Sequence, residues 1–329
     1  MSDSISPATH DAALGAILGA LVGDAAGAVL EFWHPEELDV VKAWTMPGGG
    51  HWQVAPGQIT DDGELTICLA RGLAEGSTYD RDKVARWYFE WIRSPPFDIG
   101  FTTQSSLGAA ASAKPGQSLA EVISQAAAAR CMGSQANGSL MRATPLGVWG
   151  HRLPPAAVAK LAEADSSMSH PNPNCCRAVA AYSVAIAHLL THPGDRDGAL
   201  KQAHSCVAAA PATDVNDWLA AALRNEPEPY YPHIGYVKIA FIHAFRHLAL
   251  GTSYEAAIHE TLLGGGDTDT NACIVGGLIG ASVGASAIPL AQRQAVLQCN
   301  TQLGRPRPAF LSAADVPELV NQLLKNAPG

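Results

Sequence analysis

Hydrophobic and small residues recur with helical spacing along almost the whole chain, between short Pro- and Gly-bearing turns. This spacing predicts helices at residues 11–28, 62–75, 81–93, 118–130, 139–149, 155–164, 173–191, 197–209, 214–224, 236–250, 254–263, 270–285, 289–303 and 315–326. Alternating patterns are almost absent, and Val40–Trp44 is the best strand candidate. Because no linker, tandem repeat or low-complexity block divides the chain, we expect a flexible N-terminus at 1–10 followed by one all-α domain at 11–329.

Two of the predicted helices carry glycine at every fourth position. The first stripe consists of Gly15, Gly19, Gly23 and Gly27, and the second of Gly276, Gly280 and Gly284. Residues four apart share a helix face. Glycine costs about 1 kcal/mol relative to alanine inside a helix, so a stripe of it needs a packing reason. We therefore expect the two stripes to pack together, which would bring Glu31, the next position in the first spacing, toward the start of the second helix.

Two acidic clusters lie far apart in the sequence, each at the start of an apolar helical run. One is Thr60-Asp61-Asp62 in GQITDDGEL, and the other is the run 267–270 in LLGGGDTDTNA. Taken alone, each is explained by helix capping; Asp61 with Glu64 fits a capping box. Capping needs only one acid, however, and each cluster supplies two together with a threonine hydroxyl.

If the two clusters meet, their oxygens would repel one another unless a hard cation neutralised them. Neither cluster contains His or Cys, which disfavours zinc and copper. The four carboxylates could hold two Mg²⁺ or Mn²⁺ ions roughly 3.5–4 Å apart. The clusters therefore predict a metalloenzyme.

The composition limits the partners of this protein. Its net charge of −9 argues against nucleic acid as a ligand. The apolar stretch at 12–30 contains Asp24 and has acidic flanks, so it predicts a buried core helix and no membrane partner. The seven cysteines include no CxxC pair and are typical of reduced, buried thiols. We expect a cytoplasmic monomer.

A small polar loop, CMGSQANGSLMR at residues 131–142, precedes another predicted helix. Its backbone amides could bind phosphate, although an ordinary loop capped by Asn137 or Ser139 explains it equally well. Arg142 is interpreted as a structural ion-pairing residue. The HxxxH pair at His243 and His247 lacks the glutamate of HExxH and is assigned to the core or the helix surface.

Four isolated residues could also belong to a site, although each has a simpler explanation. They are Glu31, Asp98, His170 and Tyr236. The simpler explanations are, in that order, a solvated acid, an exposed loop acid, a structural histidine beside a helix cap, and a core tyrosine.

The motifs together resemble one family. In order, GALVGDAAGAVLEF, GQITDDGEL, ANGSLMRATPLG, SHPN and GGDTDTNACIVGGLIGA are similar to the ADP-ribosylglycohydrolase family. The resemblance is greatest to its dinitrogenase-reductase-activating branch, which the GGGHW segment also resembles. It covers nearly the whole chain. It implies a compact orthogonal helical bundle with two Mg²⁺ or Mn²⁺ ions in a central cleft.

The resemblance also implies roles for particular residues. Six match metal ligands: Thr60, Asp61, Asp62, Asp267, Asp269 and Thr270. Glu31 matches the acid beside the metals and the scissile bond, and Asp98 matches a functional aspartate of the nearest branch. The residues matched to binding of ADP-ribose are Gly133, Ser134, Asn137, Gly138, Ser139, His170 and Tyr236. Two positions depart from the family pattern: Gly63 replaces a threonine, and Ala136 replaces a glycine.

The implied reaction is hydrolysis between C1 of a ribose and a modified protein side chain, with release of ADP-ribose. An arginine N-glycoside fits the nearest branch, while serine-linked or other ADP-ribosyl substrates remain alternatives. The expected partner is thus an ADP-ribosylated protein or ADP-ribose itself. A non-catalytic ADP-ribose-binding protein and a phosphoryl-transfer hydrolase are two further readings from other functional classes.

Overall fold

The computed structural model describes residues 5–209 and 212–329, and this part of the chain is helical with no β-strand. The helices are α1 (Pro7–Gly27), α2 (Val40–Trp44), α3 (Asp61–Ala74), α4 (Arg81–Arg93), α5 (Phe101–Leu107), α6 (Leu119–Arg130), α7 (Thr144–Trp149), α8 (Pro155–Ser169), α9 (Pro173–Thr191), α10 (Arg196–Ala208), α11 (Val215–Leu223), α12 (Val237–Leu250), α13 (Tyr254–Leu263), α14 (Thr268–Val283), α15 (Leu290–Leu297) and α16 (Val316–Lys325). Short 3₁₀ segments occur at Pro35–Glu37, Gly108–Ser112, Ala285–Ala287, Ala309–Leu311 and Ala313–Asp315. The predicted all-α fold is confirmed.

Helices α1 and α14 form the centre of the bundle, and most residues of both are buried on every side. Their glycine stripes face each other. A Cβ atom added to Gly19 would lie 2.3 Å from the main-chain oxygen of Gly276, and one added to Gly280 would lie 2.1 Å from that of Gly15. These distances leave no room for a side chain, so the predicted contact between the stripes is confirmed.

The seam between α1 and α14, which is the contact made by these stripes, leads directly to the second acidic cluster. A Cβ atom on Gly27 would lie 2.4 Å from the Cα atom of Asp269. Thr268 Oγ1 donates to the carbonyl of Gly27 at 2.8 Å. The last turn of α1 is therefore fixed against the first turn of α14, and Glu31 follows within a few residues.

Buried hydroxyl groups hold neighbouring helices against this central pair. Tyr254 at the start of α13 donates to the carbonyl of Gly19 at 2.6 Å. Tyr182 of α9 donates to the carbonyl of Ile274 in α14 at 2.9 Å. In the described part of the chain, no helix combines the length and the hydropathy that a membrane span requires.

The strand predicted at Val40–Trp44 is wrong, because these residues form helix α2. Asp39 caps the helix by accepting a hydrogen bond from the Lys42 amide at 3.0 Å. Val40, Ala43 and Trp44 are buried whereas Val41 is exposed, which is a helical rather than an alternating pattern. Capping and the burial of one face outweigh the β propensity of the two valines.

Several helix boundaries differ from those predicted. Helix α1 begins at Pro7, where Ser6 Oγ accepts from the Thr9 amide at 3.0 Å, so residues 7–10 are helical. Residues 1–4, which belong to the segment predicted to be flexible, lie outside the described residues. Helix α7 begins at Thr144 rather than 139, α15 ends at Leu297 rather than 303, and helix α5 was not predicted.

Candidate active site

Both acidic clusters lie at helix starts, but their side chains do not cap those helices. Thr60 is the N-cap of α3 and Asp267 is the N-cap of α14, and neither side chain makes a capping hydrogen bond. The carboxylate of Glu64 binds Arg307 and Trp91 and does not close a capping box. Capping alone therefore does not explain the clusters.

The two clusters meet in space and form two adjacent groups of carboxylates. In the first group, one oxygen from each of Asp24, Asp62 and Asp269 lies within 4.8 Å of the others. In the second, the same holds for Glu31, Asp267 and Asp269. Asp269 belongs to both groups, so the groups form one continuous acidic centre. Burial raises the pKa of Asp62 and of Asp269 well above the ordinary value.

Asp24 is a member of this centre that the sequence analysis did not assign to the site. It is fully buried, and its carboxylate accepts hydrogen bonds from Thr60 Oγ1 at 2.9 Å and from the Gly63 amide at 2.8 Å. Burial raises its pKa to about 7. The sequence signal for it is a lone charge inside an apolar, glycine-striped helix, a feature that also argues against a membrane span.

The position of Gly63 follows from that of Asp24. A Cβ atom on Gly63 would lie 2.6 Å from the Asp24 carboxylate and 2.8 Å from Leu21. The threonine that the family pattern expects here would not fit this arrangement without movement of Asp24. Gly63 therefore lets the buried carboxylate of Asp24 approach the start of α3 closely.

Glu31 and Asp98 face the same centre. Glu31 is 5% exposed, and Trp52 Nε1 donates a hydrogen bond to its Oε2 atom. Burial, followed by the charge of Asp267, raises the pKa of Glu31 to about 8. Asp98 lies in the loop between α4 and α5, where burial and the charge of Glu31 raise its pKa to about 9. Neither acid is the freely solvated group that the simpler interpretation predicts.

A cavity of about 410 Å³ opens beside the acidic centre. Among the residues singled out from the sequence, five acids and one threonine line it: Glu31, Asp61, Asp98, Asp267, Asp269 and Thr270. No lysine or arginine occurs among the described residues that line it. In addition, the Oδ1 atom of Asp62 is buried without a hydrogen-bond partner. Oxygen donors that lack basic neighbours, together with this unpaired atom, fit the requirements of a divalent cation.

The substrate-binding residues predicted from the sequence are only partly brought together. Asn137, Gly138 and His170 line the cavity, and Asn137 Nδ2 donates to Asp267 Oδ2 at 2.7 Å. Four others do not line it: Gly133, Ser134, Ser139 and Tyr236. Tyr236 instead lines an adjoining open depression, together with Gln135 and Ala136.

The polar loop extends beyond its predicted end, because α7 begins at Thr144 rather than at residue 139. Its Asn137 amide donates to the carbonyl of Gly235 at 3.0 Å, so this amide is already engaged within the protein. Arg142 is fully buried, pairs with Asp165 at 3.3 Å and donates to the carbonyl of Gly138 at 3.1 Å. The structural role predicted for Arg142 is confirmed, and its task is to support this loop.

His170 lines the cavity and has one buried ring nitrogen without a partner. Its Nδ1 atom is hydrogen-bonded to Ser169 Oγ at 2.8 Å, whereas Nε2 is buried without a partner and lies beside Gly138. Burial lowers the pKa of His170 to about 3, so the ring is neutral at physiological pH. The HxxxH histidines behave differently: His243 and His247 are buried in α12, outside the cavity.

Exposed apolar side chains surround the cavity mouth. Phe101 is 85% exposed, Phe32 46% and Ile234 42%, and all three line the cavity. Phe32 has a φ of 68°, which is rare for a bulky residue, and its amide donates to the carbonyl of Gly266 at 2.8 Å. Backbone strain of this kind is found at ligand-binding sites. Here the strained residue carries an exposed ring and directly follows Glu31 in the sequence.

The structure thus combines an all-α bundle with an acidic centre that could hold a divalent cation, and comparison with known proteins gives the family. The ADP-ribosylglycohydrolase family model matches residues 5–327. The chain belongs to the ADP-ribosylglycohydrolase family.

Several relatives match over most of the chain. The putative ADP-ribosyl glycohydrolase L543 of Acanthamoeba polyphaga mimivirus is 30% identical over 306 residues, which cover 86% of this chain and 90% of that protein. The ADP-ribosyl-[dinitrogen reductase] glycohydrolase of Rhodospirillum rubrum is 29% identical over 288 residues, covering 86% and 89%. The ADP-ribosylarginine hydrolase Tri1 of Pseudomonas putida (strain GB-1) is 28% identical over 291 residues, covering 85% and 72%.

A solved structure supports the fold. A chain described as an ADP-ribosylglycohydrolase-related protein complex superposes with a TM-score of 0.75 at 25% sequence identity. The match covers 97% of this chain and 99% of that one. Family membership and fold together make this protein a hydrolase of the ADP-ribosylglycohydrolase family, whose acidic groups could hold a divalent metal ion.

Proposed function

We propose that this protein hydrolyses the N-glycosidic bond between ADP-ribose and an arginine side chain of a modified protein, in a reaction that depends on divalent metal ions. The proposal rests on one observation: two sets of three carboxylates share Asp269 and lie beside a cavity lined by Glu31 and Asp98. The relative from Pseudomonas putida, an ADP-ribosylarginine hydrolase, supports the arginine linkage.

The residues proposed to hold two Mg²⁺ or Mn²⁺ ions are Thr60, Asp61, Asp62, Asp267, Asp269 and Thr270. Bound ions of this kind would orient the ribose hydroxyls and lower the pKa of a water molecule. Asp24 supports the ligands from behind, because its carboxylate fixes both the hydroxyl of Thr60 and the first turn of α3.

The protein's own side chains would then divide the remaining tasks. Glu31, fixed by Trp52, positions the attacking water or transfers a proton at the leaving nitrogen, and Asp98 is the second candidate for that proton. The amide of Asn137 is oriented by Asp267 and can contact the ribose. The unpaired Nε2 of neutral His170 offers the ligand one further hydrogen bond.

Charge favours an arginine linkage over a serine linkage. Seven carboxylates belong to the two acidic groups or the cavity wall: Asp24, Glu31, Asp61, Asp62, Asp98, Asp267 and Asp269. Burial raises the pKa of Glu31 to about 8 and that of Asp98 to about 9, so these two are largely protonated at neutral pH. The other five carry at most five negative charges, of which two divalent ions would neutralise four. A carboxylate-lined site without lysine or arginine still suits a cationic guanidinium, whereas a neutral serine hydroxyl gains nothing from it.

The central experiment compares arginine-linked and serine-linked ADP-ribosyl peptides in Mg²⁺, in Mn²⁺ and after chelation with EDTA. We expect release of ADP-ribose from the arginine-linked peptide only, and only with metal. Asp269→Ala should abolish release, whereas Asp217→Ala, on the exposed face of α11, should retain it. Full activity of Asp269→Ala would contradict the metal assignment. Release from the serine-linked peptide alone would overturn the linkage but not the reaction class.

Two further measurements separate the other functional classes. A non-catalytic protein would bind ADP-ribose without releasing it from any peptide. A phosphoryl-transfer hydrolase would cleave phosphate esters in a substrate panel, which we expect to remain intact. We expect EDTA to weaken the binding of ADP-ribose as well as turnover, because the diphosphate enters a site lined by carboxylates. The cytoplasmic location and the monomeric state remain predictions from composition.

A further inference from the structure

We propose that Arg307 is a positioning residue that holds the loop carrying Asp98 against the first acidic cluster. The inference rests on the proposed function, in which Asp98 is a candidate for proton transfer. Arg307 lies far from both segments in the sequence, between α15 and α16, and it does not line the cavity.

Arg307 is buried, with 5% of its surface exposed, and its donors reach two separate segments. Toward the first cluster, Nε and Nη2 donate to the two carboxylate oxygens of Glu64 at 2.7 and 2.9 Å. Toward the loop, Nη2 donates to Ser94 Oγ at 2.9 Å, and Nη1 donates to the carbonyls of Ser94 and Pro95, the latter at 2.9 Å. All three guanidinium nitrogens are engaged in a rigid planar fork.

The loop has few other means of support. Residues 95 and 96 are prolines and have no amide hydrogen. Within the described chain, residues 95–99 make no hydrogen bond to other main-chain groups. The bonds from Arg307 are therefore the polar anchors of the segment that leads to Asp98. Phe97 adds ring contacts, with Trp52 at 6.0 Å and with the Arg305 guanidinium at 5.4 Å.

The contacts that Arg307 and its neighbours make with the first acidic cluster are equally well defined. Glu64 lies in the first turn of α3, two residues after Asp62, and Trp91 Nε1 also donates to it at 2.6 Å. Two residues before Arg307, the amide of Arg305 donates to Gln58 Oε1 at 3.1 Å, and its carbonyl accepts from Gln58 Nε2 at 2.5 Å. Segment 305–307 thus binds residues on both sides of the Thr60-Asp61-Asp62 cluster as well as the Asp98 loop.

Loss of the Arg307 hydrogen bonds should lower the turnover rate rather than the affinity for substrate. Asp98 reaches the cavity from a loop, and a displacement of about 1 Å at a reacting group can reduce a rate on the order of 100-fold. We therefore expect Arg307→Gln to lower kcat by roughly 10- to 100-fold with little change in KM. Arg307→Lys should not restore kcat, because an ammonium group cannot bind Glu64 with two nitrogens and reach the loop carbonyls as well.

A double-mutant cycle distinguishes positioning from general stabilisation. If Arg307 acts through Asp98, then Arg307→Gln combined with Asp98→Asn should have the kcat of Asp98→Asn alone. The matched control is Arg71→Gln. Arg71 binds the same C-terminal region through the carbonyl of Phe310 at 2.8 Å and through Asp315, but it does not contact the loop. We expect this control to keep the wild-type kcat.

Hydrogen–deuterium exchange gives a readout that does not depend on activity. The hydrogen-bonded amides of α5, which begin at Gln104, should exchange faster in Arg307→Gln than in Arg71→Gln, while those of α9 should be unchanged. Ser94→Ala removes one acceptor and should show a smaller effect in the same direction, which keeps the test available if Arg307→Gln does not fold. Additive losses in the double mutant, or unchanged exchange at 104–107, would overturn the proposal. A wild-type enzyme without ADP-ribose release would instead refute the proposed function and leave the exchange test valid.

Discussion

Replacement of Gly19 by alanine tests the seam between α1 and α14 directly. The added Cβ atom would lie 2.3 Å from the carbonyl oxygen of Gly276, and both atoms belong to helices that are buried along most of their length. No side-chain rotation can relieve this contact, so the two helices must separate. Overpacking of this kind costs about 1–3 kcal/mol, and the rigid backbone partner places Gly19→Ala at the upper end.

The intrinsic helix preference of alanine acts in the opposite direction and contributes about 1 kcal/mol. The expected net loss is therefore about 2 kcal/mol of unfolding free energy, or roughly 3 °C in Tm for a chain of 329 residues. Thermal and urea denaturation followed by circular dichroism would measure it. The control is Gly76→Ala, where the added Cβ meets only Lys83 Nζ at 3.7 Å and Tm should change little. If Gly19→Ala equalled or exceeded the wild-type Tm, the close-packed seam would be refuted.

Three other outcomes are expected. Saturating Mg²⁺ or Mn²⁺ should raise Tm, by an amount equivalent to about 2.7 kcal/mol at 100 times Kd, and EDTA should reverse the gain; a Tm independent of metal would contradict the acidic centre as a cation site. Asp24→Asn should weaken Mn²⁺ binding in calorimetry by roughly 10- to 100-fold, because the carboxylate that fixes Thr60 loses its charge; unaltered affinity would remove Asp24 from the centre. The folded pKa of His170, about 3, lies below the ordinary value of 6.5, so its contribution to stability is complete above pH 6.5 and declines as the pH falls toward 3. Denaturation curves at pH 7 and pH 4.5 should therefore show a smaller acid-induced loss for His170→Gln than for the wild type, and equal losses would exclude this role.

The features that could be predicted from the sequence are those that repeat or cluster within a short segment. The glycine spacing predicted which helices would meet, and that contact explained why Glu31 and Asp269, more than 200 positions apart, could share one site. Asp24 was overlooked because its neighbours in the sequence are apolar, and only folding places it under Thr60.

Other features depend on tertiary contacts that no local pattern records. Arg307 lies in a segment without helical periodicity, and its partners Glu64 and Ser94 are more than 200 residues away. Helix α2 was misassigned because Val40 and Val41 favour strands, while the burial of Trp44 on the same face as Val40 decides the conformation.

The seam also has a consequence for biosynthesis. Helices α1 and α14 are separated by about 240 residues in the sequence. Helix α1 therefore leaves the ribosome long before α14, which covers its glycines. The second acidic cluster ends at Thr270 of a 329-residue chain, and until it emerges Asp24 and Asp62 have no counterpart. Pairing over such separations is slow, and the uncovered helix remains prone to aggregation in the interval. The acidic centre is accordingly complete only after α14 has been synthesised, and a chain truncated before α14 would lack Asp269, which both carboxylate groups share.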